Sequence, residues 1–135
     1  MAVRILITGG TFDKEYDEIK GRLYFKETHM REILDLGRSR LMVKIQTLMM
    51  VDSLDMTMDD RQLILNNCRK VGEDQIVITH GTDTMVKTAE LIANQITDKT
   101  IKKGTNIELS KFENNTEKLL NLLITICWEN VLFST

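Results

Sequence analysis

Three times along this chain of 135 residues a short apolar run stops at a cluster of glycine, hydroxyl-bearing or acidic residues, and each time a helical period lies downstream. Val3 to Ile7 ends at Thr8-Gly9-Gly10-Thr11-Phe12-Asp13, Leu41 to Leu48 leads into Met50-Val51-Asp52-Ser53-Leu54-Asp55-Met56, and Ile76 to Thr79 runs into His80-Gly81-Thr82-Asp83-Thr84-Met85. A β-α-β-α-β-α order with helices of about 10 to 15 residues predicts a parallel sheet with right-handed crossovers. Open sheets of that kind bind ligands outside the carboxyl ends of their strands. The two hydroxyl-rich ends, at Thr11 and at Thr82, therefore imply one shared site.

The segments between these junctions are unequal. Asp13 to Glu27 is mostly polar, with Tyr16, Gly21 and Tyr24 interspersed and no sustained period, which predicts a long mobile loop of the lid type. Thr28 is a suitable N-cap for a helix of about ten residues carrying Met30, Ile33, Leu34 and Leu36, with Gly37 as its stop. Leu41 to Leu48 alternates apolar and polar residues, as a strand flanking the sheet does. Thr57 with Asp60 resembles a capping box, and Met58, Arg61, Ile64, Leu65 and Cys68 follow at helical spacing to about Lys70. Thr84 to Ile96 predicts a third helix with Met85, Ala89, Ile92 and Ile96 on one face. The fold expected is α/β: a three-layer, Rossmann-like parallel sheet with flanking helices over residues 1 to 100.

Beyond Asp98 the pattern changes. Lys99-Thr100-Ile101 begins as a buried strand would, and Lys102-Lys103-Gly104-Thr105-Asn106 interrupts it. Ser110 and Thr116 are weak helix starts, and Leu119 to Phe133 reads as a packed helix or strand, the helix having an unusually wide apolar surface. Residues 101 to 135 are expected to form a divergent tail packed on the same domain. An exposed sheet edge left by a missing fourth strand would favour a homodimer.

Composition narrows the function classes. Eighteen basic against 20 acidic residues give a formal charge of -2, which offers nucleic acid or anionic membrane no particular hold. The amino-terminal apolar stretch is too short for a signal peptide, and Leu119 to Phe133 is shorter than the roughly 20 residues of a membrane span, so a cytoplasmic protein is expected. Cys68 and Cys127 have no metal-ligand spacing and read as buried thiols. The Gly9-Gly10 turn lacks the P-loop pattern, and no G-x-G-x-x-G fingerprint follows the first strand. A small-molecule substrate with no cofactor and no metal is the remaining expectation.

Thr11 lies just past two glycines at a strand end, where backbone N–H groups and a helix dipole favour a carboxylate or a developing oxyanion. A threonine hydroxyl needs a base to act as a nucleophile, and Thr82 and Asp83 could supply part of a hydrogen-bond chain. The bland alternatives are a satisfied turn at Thr11 and a helix cap at Thr82 or Asp83. Asp52, Ser53 and Asp55 could bind a substrate amino group or simply form a turn. His80 reads as a residue that shapes the strand end rather than as a general base, and His29 as structural or exposed.

Together, Thr8-Gly9-Gly10-Thr11-Phe12 and His80-Gly81-Thr82-Asp83-Thr84-Met85 resemble the two signature motifs of the bacterial-type L-asparaginase family, and Asp52-Ser53-Leu54-Asp55-Met56 resembles its substrate-binding loop. The resemblance covers about residues 1 to 100. It implies hydrolysis of asparagine, or of glutamine, to the acid and ammonia through an acyl-threonine on Thr11, with Tyr16 or Tyr24 helping to activate it. It further implies that Thr82 orients water and the oxyanion and that Asp83 holds the substrate amino group. Gly10, Asp52, Ser53 and Gly81 would line the substrate, Ser53 gripping its α-carboxylate. Leu54 stands where many members have glutamine. The G-A-M-x-P type motif and the later relay lysine of the family do not occur after Ile101, with Lys102 or Lys103 the nearest substitutes, and the chain has no proline at all. A non-catalytic amino-acid-binding relic and an amidotransferase subunit are the competing readings.

Overall fold

The computed structural model describes residues 2–96, 102–103 and 122–125. Strand β1 (Ala2–Ile7) is followed by a 3-10 turn (Thr11–Asp13), a hairpin of β2 (Lys14–Asp17) and β3 (Arg22–Phe25), and helix α1 (Met30–Leu36). Then come β4 (Met42–Thr47), α2 (Met58–Lys70), β5 (Gln75–Thr79), α3 (Met85–Gln95), and the short strands β6 (Lys102–Lys103) and β7 (Leu122–Thr125). The main sheet has the order β4-β1-β5-β7-β6, and every pairing in it is parallel.

Side-chain alternation along the central strands sorts the core into two faces. Leu6 of β1 and Ile76 and Ile78 of β5 point to one side, where they meet Ile64, Leu65 and Cys68 of α2 and Met85, Ala89 and Ile92 of α3. Ile5 and Ile7 point to the other and pack with Met30 of α1, joined by Val43, Ile45, Val77 and Leu34. The result is three layers, α1 on one face of the sheet and α2 with α3 on the other. The connectivity accounts for this arrangement. The chain steps from β1 to β4 in one direction and from β4 over β1 to β5 in the opposite direction, and right-handed crossovers then put their helices on opposite faces. Each fully buried Leu or Ile in these faces contributes about 1.5–3 kcal/mol. One edge of the sheet is β4, where the alternating sequence had placed it.

The first helix begins later than its sequence signal suggested. His29 rather than Thr28 is the N-cap, and the Thr28 hydroxyl instead donates to Asp13 while accepting from the Met30 N–H at 3.2 Å. Gly37 is the C-cap, but the left-handed residue that turns the chain is Arg38, with φ of 51°. The capping box of α2 is present in full: the Thr57 hydroxyl accepts from Asp60 N, and the Asp60 carboxylate accepts from Thr57 N.

Three expectations are corrected. The segment expected to be a long loop between Asp13 and Glu27 contains the β2–β3 hairpin, in which Lys14 pairs with Phe25 and Asp17 with Arg22. Its turn closes because the Asp17 carboxylate accepts the N–H groups of Ile19 and Lys20, and Gly21 takes a φ of +63° that favours glycine. Lys102 and Lys103 extend the sheet as β6 rather than only interrupting it. Leu122–Thr125 takes the strand alternative, and it pairs with β5 along the very edge expected to lie open, which removes the basis for a homodimer through that edge. The expectations for Lys99–Ile101, for helix starts at Ser110 and Thr116 and for Cys127 fall outside the described residues. No helix among the described residues is long and apolar enough to cross a membrane.

Candidate active site

The order β4-β1-β5 makes the carboxyl ends of β1 and β5 a topological switch point, since the chain leaves them in opposite directions and a crevice opens between them. The residues that follow both strands are stitched together there. Thr8 donates its hydroxyl to the Thr79 carbonyl, and its N–H donates to the Thr79 hydroxyl at 3.3 Å. Both threonines are fully buried, so these bonds form the floor of the crevice.

Glycine is required at specific points of this floor. Gly9 and Gly10 have φ of 117° and 135°, and a side chain at Gly9 would collide with the Val51 carbonyl. The same close approach is marked by the Val51 N–H, which donates to Thr8 at 3.1 Å, so the loop after β4 is pressed against the turn after β1. A Cβ on Gly10 would lie 3.2 Å from the Phe12 ring and 3.7 Å from the His80 carbonyl carbon. A Cβ on Gly81 would sit 2.7 Å from Ser53 Oγ and 2.8 Å from Ser53 Cβ. Ser53, 2% exposed, therefore occupies the space that Gly81 leaves. Its carbonyl accepts the Thr84 hydroxyl at 2.6 Å, and its own hydroxyl donates toward Asp83 Oδ2 at 3.5 Å, the long limit of such a bond.

Thr82 and Asp83 follow Gly81 and remain exposed, above a buried layer of Ser53, Thr79 and His80. Thr11 is the first residue of the 3-10 turn after Gly10. Gly10 thus lies against His80, and Ser53 against Gly81 and Asp83, beyond the carboxyl ends of β1 and β5. Asp52, beside Ser53, has both carboxylate oxygens engaged: Oδ1 accepts Leu54 N at 3.0 Å and Oδ2 pairs with Lys14. The Lys14 ammonium, followed by the Leu54 N–H, holds the Asp52 carboxyl below the usual range. Leu54 is 71% exposed next to this site. The two lid tyrosines lie on the hairpin. Tyr24 donates its hydroxyl to Glu15 at 3.0 Å, and that carboxylate pushes its pKa up. The Tyr16 hydroxyl lies at the hairpin turn near Gly21, and the residue is exposed.

His80 is a structural residue here. Its Nδ1 lies 2.6 Å from the Gly81 carbonyl and its Nε2 2.7 Å from the Thr88 hydroxyl. A carbonyl only accepts, so Nδ1 carries the proton and Nε2 accepts from Thr88. Burial, reinforced by the nearby Arg61 charge, lowers its pKa against the Gly81 bond, and the ring stays neutral at neutral pH. Arg61, 5% exposed, donates to Thr88 at 3.1 Å and to the Met56 carbonyl at 2.8 Å, which fastens α2 and α3 behind the Gly81–Thr82 peptide.

Two residues at the site had no sequence signal of their own. Asp13 is fully buried and accepts from Thr28 and from His29 N at 2.8 Å, which ties the 3-10 turn to the start of α1. Desolvation raises its pKa, partly offset by these hydrogen bonds. Lys14 joins the hairpin to the loop after β4 and also lies 5.3 Å from the Phe25 ring centroid. A depression of about 510 Å³ opens at the other end of the strands, lined by Ala2, Arg4, Lys44, Gly72, Glu73 and Asp74, remote from both signature motifs.

A family model described as asparaginase, N-terminal, matches residues 2–106. Among solved structures, the thermostable L-asparaginase from Thermococcus kodakarensis is similar at 27% identity and a TM-score of 0.62, over 75% of this chain and 32% of that one. L-asparaginase I from Vibrio cholerae O1 biovar eltor str. N16961 is similar at 26% identity and a TM-score of 0.56, over 67% of this chain and 29% of that one. This chain spans about a third of the length of those two enzymes. A search of curated proteins found no match.

Proposed function

This chain belongs to the asparaginase family through its amino-terminal domain, and from that premise we propose that it hydrolyses the side-chain amide of asparagine, or of glutamine. The observation that carries the reading is the convergence of three strand-end segments on Ser53: Gly81 gives it room, Thr84 fixes its carbonyl, and its hydroxyl reaches toward Asp83. An amino-acid substrate needs acceptors for its ammonium and donors for its carboxylate. Asp83 and Ser53 meet those needs, while Gly10, Gly81 and Asp52 shape the walls.

In this reading the Thr11 hydroxyl attacks the amide carbonyl carbon. The tetrahedral oxyanion collapses, the C–N bond breaks, and ammonia leaves with the proton relayed from Thr11. Thr82 orients the water that then cleaves the ester, releasing aspartate and restoring the hydroxyl. Tyr16 or Tyr24 would assist, Tyr24 by giving up its bond to Glu15. A cytoplasmic location, with substrate taken directly from solution, belongs to the same proposal.

The test is ammonia release from millimolar L-asparagine, with L-glutamine in parallel, by the chain and by Thr11→Ala. Loss of about 10²- to 10⁴-fold in the variant is expected for removal of one member of an activation chain. Equal release by both proteins would refute the assignment. A second reading, an amino-acid-binding module, is favoured by one observation, the engagement of the Tyr24 hydroxyl by Glu15 at 3.0 Å while Ser53 and Asp83 already face each other. Thermal stabilisation by asparagine without turnover would select it.

A further inference from the structure

We propose that Lys14 is a positioning residue, which acts through Asp52 to hold Ser53 in its amino-acid-binding geometry; this rests on the amidohydrolase or amino-acid-binding reading of the crevice. Lys14 begins β2 and lies opposite Phe25, so it stands at the open base of the hairpin rather than at its tip. From there its ammonium lies against the Phe25 ring and pairs with Asp52, 38 residues away in sequence. Both partners are partly shielded, with side chains 19% and 31% exposed, so solvent screens them less than it screens a pair on an open surface.

What the pair holds in place decides its role. The Asp52 carboxylate caps its own turn by accepting Leu54 N, and its carbonyl accepts Asp55 N at 2.9 Å. The next residue is Ser53, whose contacts with Gly81, Thr84 and Asp83 have just been described. A pull on Asp52 is therefore transmitted through one peptide unit to the hydroxyl that faces Asp83. With both its carboxylate oxygens occupied, Asp52 acts on a ligand through Ser53. Lys14 also ties the base of the hairpin, whose strands carry the two tyrosines, to the same loop.

Four variants test this in the full chain: Lys14→Met, which keeps the stem on Phe25 and removes the charge, Lys14→Arg, Asp52→Asn, and the charge exchange Lys14→Asp with Asp52→Lys. Amide hydrogen exchange at Leu54 and Asp55 reports on the turn without reference to activity. Exchange should speed by about tenfold in Lys14→Met and return toward wild type in Lys14→Arg and in the charge exchange. For a chain that turns over asparagine, KM should rise about tenfold in Lys14→Met with kcat changed less than about twofold, because the loss is in binding. For a chain that binds without turnover, the dissociation constant takes the place of KM. Unchanged exchange at Leu54 and Asp55 in Lys14→Met would overturn the proposal, as would a kcat loss with KM intact. Absence of ammonia release by the wild type would count against the amidohydrolase reading alone, since exchange and asparagine binding still decide the role of Lys14.

Discussion

Ser53 and Gly81 show how closely the candidate site is built. The Gly81 φ is not in the left-handed region, so a side chain there meets no backbone strain; what it meets is Ser53, at 2.7 Å from Oγ and 2.8 Å from Cβ. Those atoms belong to a buried residue whose carbonyl is held by Thr84, so neither can swing away at low cost. Gly81→Ala should therefore lower stability by about 1–3 kcal/mol, the range for overpacking a filled interior. It should also weaken asparagine binding more than Gly72→Ala does, because a Cβ at Gly72 meets open space. Urea unfolding and a binding titration of the two variants check this, and equal behaviour would show that the Ser53 loop yields freely. Gly81 and Ser53 were legible in the sequence because they sit in motifs at strand ends. Lys14 was not, since its meaning arises only from a contact 38 residues away, and Asp13 was hidden for the same reason behind a polar run.

At the scale of elements, local signals were readable where one residue answers another nearby. The Thr57–Asp60 box spans four residues, and it starts α2 where the sequence placed it. The Asp60 carboxylate is held below its usual pKa first by Thr57 N and then by the Thr57 hydroxyl. Thr57→Ala removes the acceptor for Asp60 N and should cost about 1 kcal/mol, toward the lower part of the range for caps because both residues are open to water. The expected signature is a lower urea midpoint with an unchanged slope; a midpoint equal to wild type would mean that water replaces the cap completely. The hairpin β2–β3 escaped detection because its strands are four residues each with none of them buried, so no apolar alternation is needed to bury a face. Its strongest cue was the Asp17-to-Gly21 turn, a pattern that suits a loop equally well. Leu122–Thr125 was ambiguous for the opposite reason, since a run apolar at nearly every position fits a buried strand or a buried helix.

Across the whole molecule, the candidate site and the Arg4–Lys44–Glu73 cluster lie at opposite ends of the sheet, so their pH responses can be separated. Arg4 of β1 donates two hydrogen bonds to Glu73, just before β5, and Lys44 of β4 approaches the same carboxylate at 2.7 Å. Three adjacent strands are thus joined by one carboxyl group, whose pKa Lys44 first and Arg4 second lower from 4.5 to about 2. The sign follows from linkage. A carboxyl that is more acidic when folded stabilises the fold fully above its unfolded pKa of 4.5, and the contribution fades as pH falls through about 2. Asp13 acts in the other sense, because burial raises its pKa and its folded form takes up a proton more readily than its unfolded form. Comparing wild type with Glu73→Gln leaves Asp13 unchanged and isolates the cluster. The variant should be less stable than wild type at pH 7, and the gap between their urea midpoints should narrow steadily from pH 4.5 down to pH 2. Asparagine handling at pH 7 should remain unaltered in the variant, since Glu73 and the Ser53 loop share no contact among the described residues. A gap that stays constant across that pH range would show that Glu73 stabilises by packing rather than by charge.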